Sequence, residues 1–197
     1  MIDRRELIQR AAMLLGGAVS SSATLGVLSG CVSAPPAAAG APPRFFTASE
    51  AAAVEIISEQ ILPRTNTPGA IDVGVPAFID RMMADFYQEG EQTILRAGLA
   101  RVEADARAAH GTGFVALASE QQIAQMQVYD REAYERTQLP VATPPAPAHF
   151  FRMLKELTTL GFFTSETGAS QFLRYVSVPG PLQSDVPYSS IGRAWAT

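Results

Sequence analysis

The chain has 197 residues, 47% hydrophobic and 17% charged, which is enough for one domain with a core and too apolar for a disordered chain. Its net charge is −4 and its arginines are scattered, which argues against the clustered cations that nucleic-acid binding needs. One cysteine and two histidines exclude an internal disulfide, a Cys-rich zinc site, an iron–sulfur cluster and covalently attached c-type haem.

Residues 1–30 read as a signal peptide. Arg4 and Arg5 open it, Arg10 follows, and residues 11–30 carry no charge. The stretch is rich in Ala, Gly and Ser, so it is less apolar than a membrane span of ~20 residues requires. Asp3-Arg4-Arg5-Glu6-Leu7-Ile8 is similar to the twin-arginine consensus, departing from it at Asp3 and at Gln9. That route carries folded cargo, so the twin-arginine translocase is an expected transient partner. Leu28-Ser29-Gly30-Cys31 looks like a lipobox, with the chain's single cysteine at the lipidation position. Acylation there would hold the protein on a membrane face from the periplasm. Residues 31–44 are Pro- and Ala-rich and read as a tether.

From residue 45 to 197 the pattern is helical. Thr47 and Glu50 have the spacing of a capping box ahead of a helix with Val54, Ile57 and Ile61 on one face, stopped by Pro63. The 64–70 loop follows, where Pro68-Gly69 suits the centre of a type II turn. A second helix over 75–87 carries the stripe Phe78, Met82, Met83 and Phe86. A third covers 91–109 with Ile94, Leu95, Leu99 and Val102 inward. His110-Gly111 stops it. Ser119 to Gln122 reads as another capping box, opening a helix towards Arg136. A Pro-rich connector covers 140–147. A fifth helix spans 150–163 with Phe151, Leu154 and Leu157 on one side, and a short sixth spans 165–174. Beyond 176, Pro179, Pro181 and Pro187 predict an extended tail. No useful run alternates with period two. The fold class is therefore all-α, a single compact domain of about five to six helices with an extended Pro-rich C-terminal tail.

Motifs for chemistry are sparse. There is no Gly-x-Gly-x-x-Gly after a strand, no phosphate-binding loop and no Gly-x-Ser-x-Gly elbow. His110 reads as a cation suited to a helix C-terminus, and His149 as a surface or packing residue at a helix start. Asp72, Asp80 and Asp85 are oxygen donors without the spacing of a calcium loop, and Asp80-Arg81 should be mostly solvated. Met82, Met83 and Met126 read as core filler. No catalytic, cofactor-binding or metal-binding residue is assigned.

Several blocks resemble the gluconate 2-dehydrogenase subunit 3 family. They are residues 45–50 (FFTASE), 61–70 (ILPRTNTPGA), 75–80 (VPAFID), Phe150-Phe151 with 154–157 (LKEL), 161–168 (GFFTSETG) and 175–180 (YVSVPG). The resemblance implies a non-catalytic small subunit beside a large flavin enzyme of the glucose–methanol–choline type, which would hold FAD. A multihaem cytochrome c subunit often completes such complexes. It further implies oxidation of a sugar, polyol or sugar acid by the large subunit, and export of that subunit on the small subunit's leader. The alternatives are a stand-alone envelope lipoprotein scaffold or an enzyme with an unrecognised site. Aromatic and Arg anchors favour interfaces. The expected partner contacts are therefore Arg64, Thr65, Thr67 and Pro68 in the loop, and Tyr175, Tyr188, Arg193 and Trp195 in the tail.

Overall fold

The computed structural model describes residues 42–138, 148–178, 180–181 and 185–196. Arg4, Arg5, Cys31, most of the tether, the 140–147 connector and Pro179 lie outside the described residues. Among those described, five long helices make the domain: α1 Ala48–Ile61, α2 Val75–Asp85, α3 Glu89–His110, α4 Ser119–Gln138 and α5 Phe150–Thr164. None of them is long and apolar enough to cross a membrane.

The helix starts follow from local chemistry. Glu50 N–H donates to Thr47 Oγ1 and Thr47 N–H donates to the Glu50 carboxylate, so two otherwise orphaned amides are satisfied reciprocally. Pro76 stands in the first turn of α2, where its missing N–H costs nothing. Gly111, at φ 73°, ends α3 in the left-handed region that glycine adopts without strain. The capping box expected at Ser119 is not formed, and a single side-chain bond caps the helix one residue earlier. Ala118 N–H donates to Gln121 Oε1, which frees Gln122 to turn inward. Gln122 is buried, donates to the Phe114 carbonyl and accepts from Gln60, tying α1 and α4 to a short 3-10 turn, Phe114–Ala116.

α5 is the centre of the helical domain and packs against each of α1 to α4. Phe150, Phe151, Met153, Leu154, Leu157, Thr158, Gly161 and Phe162 are all buried, so its apolar surface is wider than a single stripe. Burying Leu154 and Leu157 contributes about 1.5–3 kcal/mol each. Phe150 lies against α3 at Gly98, where a Cβ would fall 2.5 Å from the Phe150 Cβ. The stripe expected on α2 is shifted. Ile79 and Met83 are buried and Phe78 and Met82 half-buried, but Phe86 follows the last turn and is 73% exposed.

The expected sixth helix over 165–174 is present as a short π-helix, Gly168–Phe172, with a wider turn than α1 to α5. Gly168 lies against the Phe162 carbonyl, where a side chain would not fit. Ser165 Oγ donates to that carbonyl and accepts from Gly168 N–H, fixing the turn. The tail is not simply extended. Two-residue strands β1 Arg174–Tyr175 and β2 Trp195–Ala196 pair in parallel, Arg174 opposite Trp195, with a short helix α6 Tyr188–Ile191 between them.

Candidate functional site

The 64–70 loop is closed from beneath by two carboxylates. Glu59, on α1, accepts from Arg64 N–H at 2.9 Å and Ile71 N–H at 3.0 Å. Asp72 accepts from Gly69 N–H at 2.9 Å and from Arg64 Nε at 2.7 Å, and also pairs with Arg64 Nη2. Thr65 N–H donates to the Thr67 carbonyl, and the two hydroxyls are 3.2 Å apart. Gly69 is not at positive φ, so the expected type II turn is absent. Its need for glycine is one of space, because a Cβ would sit 2.6 Å from Arg64 N and against the Glu59 carboxylate. Arg64 and Thr65 are exposed, and Thr67 and Pro68 are half-buried.

A second cluster fixes the chain where the domain begins. Asp80 is 7% exposed, not solvated as its neighbour Arg81 is. Its carboxylate accepts from Arg44 N–H at 2.7 Å and from Phe45 and Phe46 N–H, each at 3.0 Å. Asp85 receives both terminal nitrogens of Arg44. Arg96, from α3, donates to the Phe45 carbonyl and lies 4.2 Å over the Phe45 ring. Asp72, Asp80 and Asp85 thus serve three different contacts. No group of three His, Cys, Asp or Glu side chains suited to a metal occurs among the described residues.

A third cluster surrounds His149, the N-cap of α5. Its Nδ1 accepts from Phe151 N–H at 3.3 Å, leaving Nε2 to face Glu132 at 3.5 Å. Burial lowers the His149 pKa, opposed by the Glu132 carboxylate. Glu132 is held by Arg101 through two bonds of 2.7 and 2.8 Å, which depress its own pKa. Tyr129 OH donates to Asp105 and accepts from Gln125, and burial raises its pKa. His110 ends α3 exposed, its Nδ1 3.3 Å from Gln121 Nε2. An open groove of about 550 Å³ lies between α4 and α5 over Ala133, Tyr134 and Leu160, with Asp130–Lys155 and Arg152–Glu156 paired at its rim. These carboxylates have cationic or amide partners already, which suits fixing helices and loops better than moving protons.

Of the expected tail residues, Tyr175 and Trp195 lie on the paired strands β1 and β2 and Arg193 just before β2. Arg174 stacks 4.5 Å over the Trp195 ring, and Arg193 Nη1 donates to the Gln171 carbonyl at 2.5 Å. Tyr175 is 59% and Trp195 41% exposed. Tyr188 opens α6. Arg64 is bound to Glu59 and Asp72 and Thr65 to Thr67, while Arg193 is bound to Gln171 and Trp195 lies under Arg174. Sequence reasoning missed Arg174, Phe172, Val176 and Val178, whose exposure depends on how the turn after α5 re-aims the chain.

This is an all-helical domain whose polar clusters secure a loop and a chain entry, leaving an aromatic C-terminal surface in solvent. The chain belongs to the gluconate 2-dehydrogenase subunit 3 family, whose sequence profile matches residues 48–180. No curated protein matches it, and no solved structure does. Membership makes it a subunit of a dehydrogenase complex, with the other subunits as its partners.

Proposed function

We propose that this chain is the non-catalytic small subunit of an envelope, flavin-dependent sugar, polyol or sugar-acid dehydrogenase. It stabilises the large glucose–methanol–choline type subunit, which holds FAD, and carries it through the twin-arginine route on the leader with Arg4 and Arg5. A c-type cytochrome subunit takes the electrons, and a lipid on Cys31 keeps the assembly at the periplasmic membrane face. The family match over 48–180 carries this reading. The internal pairing of Glu59, Asp72, Asp80 and Glu132 supports it, since those groups secure structure.

The test is affinity isolation from the native envelope with an antibody to this chain, followed by an absorbance spectrum and mass identification. A stoichiometric flavin protein is expected, with haem bands if the cytochrome is present. Replacing Arg4 and Arg5 together by Lys should hold both subunits in the cytoplasm. A colourless lone chain in mild detergent would refute the subunit reading, and a large subunit exported without Arg4 and Arg5 would refute the export role.

A further inference from the structure

Among the described residues, large apolar side chains gather in solvent on the ridge after α5. Phe172, Tyr175, Val176 and Val178 lie within seven residues, and Trp195 joins them across the β1–β2 pair; Val178 is 79% exposed. Monomeric surfaces rarely concentrate large apolar side chains in this way without using them. The ridge is also held rigid. Phe172 packs edge-on against Phe162 and Phe163, at 5.7 and 5.4 Å, which roots it in α5. Arg174 on Trp195 and Arg193 on the Gln171 carbonyl fix its other side. Rigid, exposed aromatic side chains lose little entropy on docking. A two-stranded parallel pair with exposed faces is a poor structure alone, because parallel strands are ordinarily covered on both sides.

Charge separates this ridge from the rest of the domain. Residues 42–167 carry 10 Arg and Lys against 16 Asp and Glu, net −6, whereas residues 168–197 carry 2 against 1, net +1. An acidic partner surface would be repelled by the body and accepted by the end bearing Arg174 and Arg193.

We infer that the Phe172–Val178 ridge with Trp195 is the docking surface for the large subunit, which meets it with an apolar patch rimmed by carboxylates. The inference rests on the subunit reading above and adds where the partner binds and with which charge. Aromatic anchors provide the contact area, and Arg174 and Arg193 set orientation and partner choice.

The experiment is co-expression of the full chain with its large subunit, measuring flavin protein retained per chain at low and high salt. Tyr175→Ser with Trp195→Ser should lower retention at least tenfold, and Phe86→Ser, exposed at the end of α2, should not. Val178 is exposed enough to change without disturbing the core. Val178→Glu should weaken retention and Val178→Lys should not, with unaltered melting of the isolated chain in both. Equal retention by Val178→Glu and wild type would overturn the inference, as would loss in Phe86→Ser alone. Equal weakening by Val178→Glu and Val178→Lys would overturn the acidic character of the partner surface. A wild-type chain that retains no flavin protein would fail the subunit reading itself, and the docking surface with it.

Discussion

Asp80→Ala gives the sharpest test of how the domain fixes its own N-terminal edge. The substitution removes the acceptor of three main-chain donors, of which those on Phe45 and Phe46 are buried. Leaving a buried donor unsatisfied costs about 1–3 kcal/mol, so two cost about 2–6 kcal/mol if the segment stays in place. The alternative is for the segment to peel away and rewet its amides. That exposes the Phe45 and Phe46 rings at about 1.5–3 kcal/mol each, and breaks the Arg96 contacts to Phe45. Either route reaches a similar loss, so roughly 2–6 kcal/mol is expected whichever the molecule takes. With a urea dependence of about 1–3 kcal/mol per molar for a protein of this size, the midpoint should fall by about 1–3 M. Proteolysis separates the routes. Trypsin should cut after Arg44 much faster in the variant if the segment peels, and no faster if it stays buried. A midpoint within about 0.3 M of wild type, together with unchanged protection at Arg44, would refute the idea that Asp80 holds this edge.

Other expectations are smaller in scope. His149 has its pKa lowered from 6.5 by burial, so its contribution to stability is complete above that value and is lost as pH falls from there through the folded-state value. His149→Asn keeps a capping oxygen, so wild type should lose more melting temperature than this variant between pH 7.5 and 5.5; parallel losses would show that His149 does not sense this range. Gly98→Ala gains helix propensity of about 1 kcal/mol but pushes on the Phe150 Cβ, and overpacking of about 1–3 kcal/mol should make it net destabilising in thermal unfolding. Glu59→Gln keeps one acceptor and loses the charge under the 64–70 loop. It should speed amide hydrogen exchange at Arg64 and Ile71 several-fold while leaving α5 amides unchanged, and slower or equal exchange would contradict the clamp.

Much of the helical framework was legible because its signals are local. Thr47 and Glu50, Pro76, and Gly111 each act within one turn of the residue they cap, so spacing alone exposes them. The central position of α5 was less legible. Its buried residues exceed one stripe, but a helix apolar on most sides does not say which neighbours surround it. Two expectations failed through contacts from elsewhere in the chain. Asp80 beside Arg81 looks like a surface pair, yet its partners lie 34 to 36 residues earlier. Gly69 after Pro68 looks like a turn glycine, yet its space is claimed by Glu59, ten residues before it. Residues 165–174 have helical composition and do form a short helix, which the Ser165 hydroxyl and the approach of Gly168 to the Phe162 carbonyl widen to the π form.

The blocks that carry the family resemblance divide by what they do in the fold. Phe45 and Phe46 are bound by Asp80, so residues 45–50 and 75–80 form one contact between them. The 61–70 block is closed by Glu59 and Asp72. Phe150 and Phe151 enter the core of α5, and Gly168 shapes the turn that follows it. These blocks are scaffold, and their chemistry is spent on holding the domain together. The 175–180 block differs, since Tyr175, Val176 and Val178 point apolar groups into water on a base made rigid by Phe162 and Phe172. A scaffold that invests its polar groups internally and holds an ordered apolar ridge in solvent has the form expected of a subunit that meets a partner.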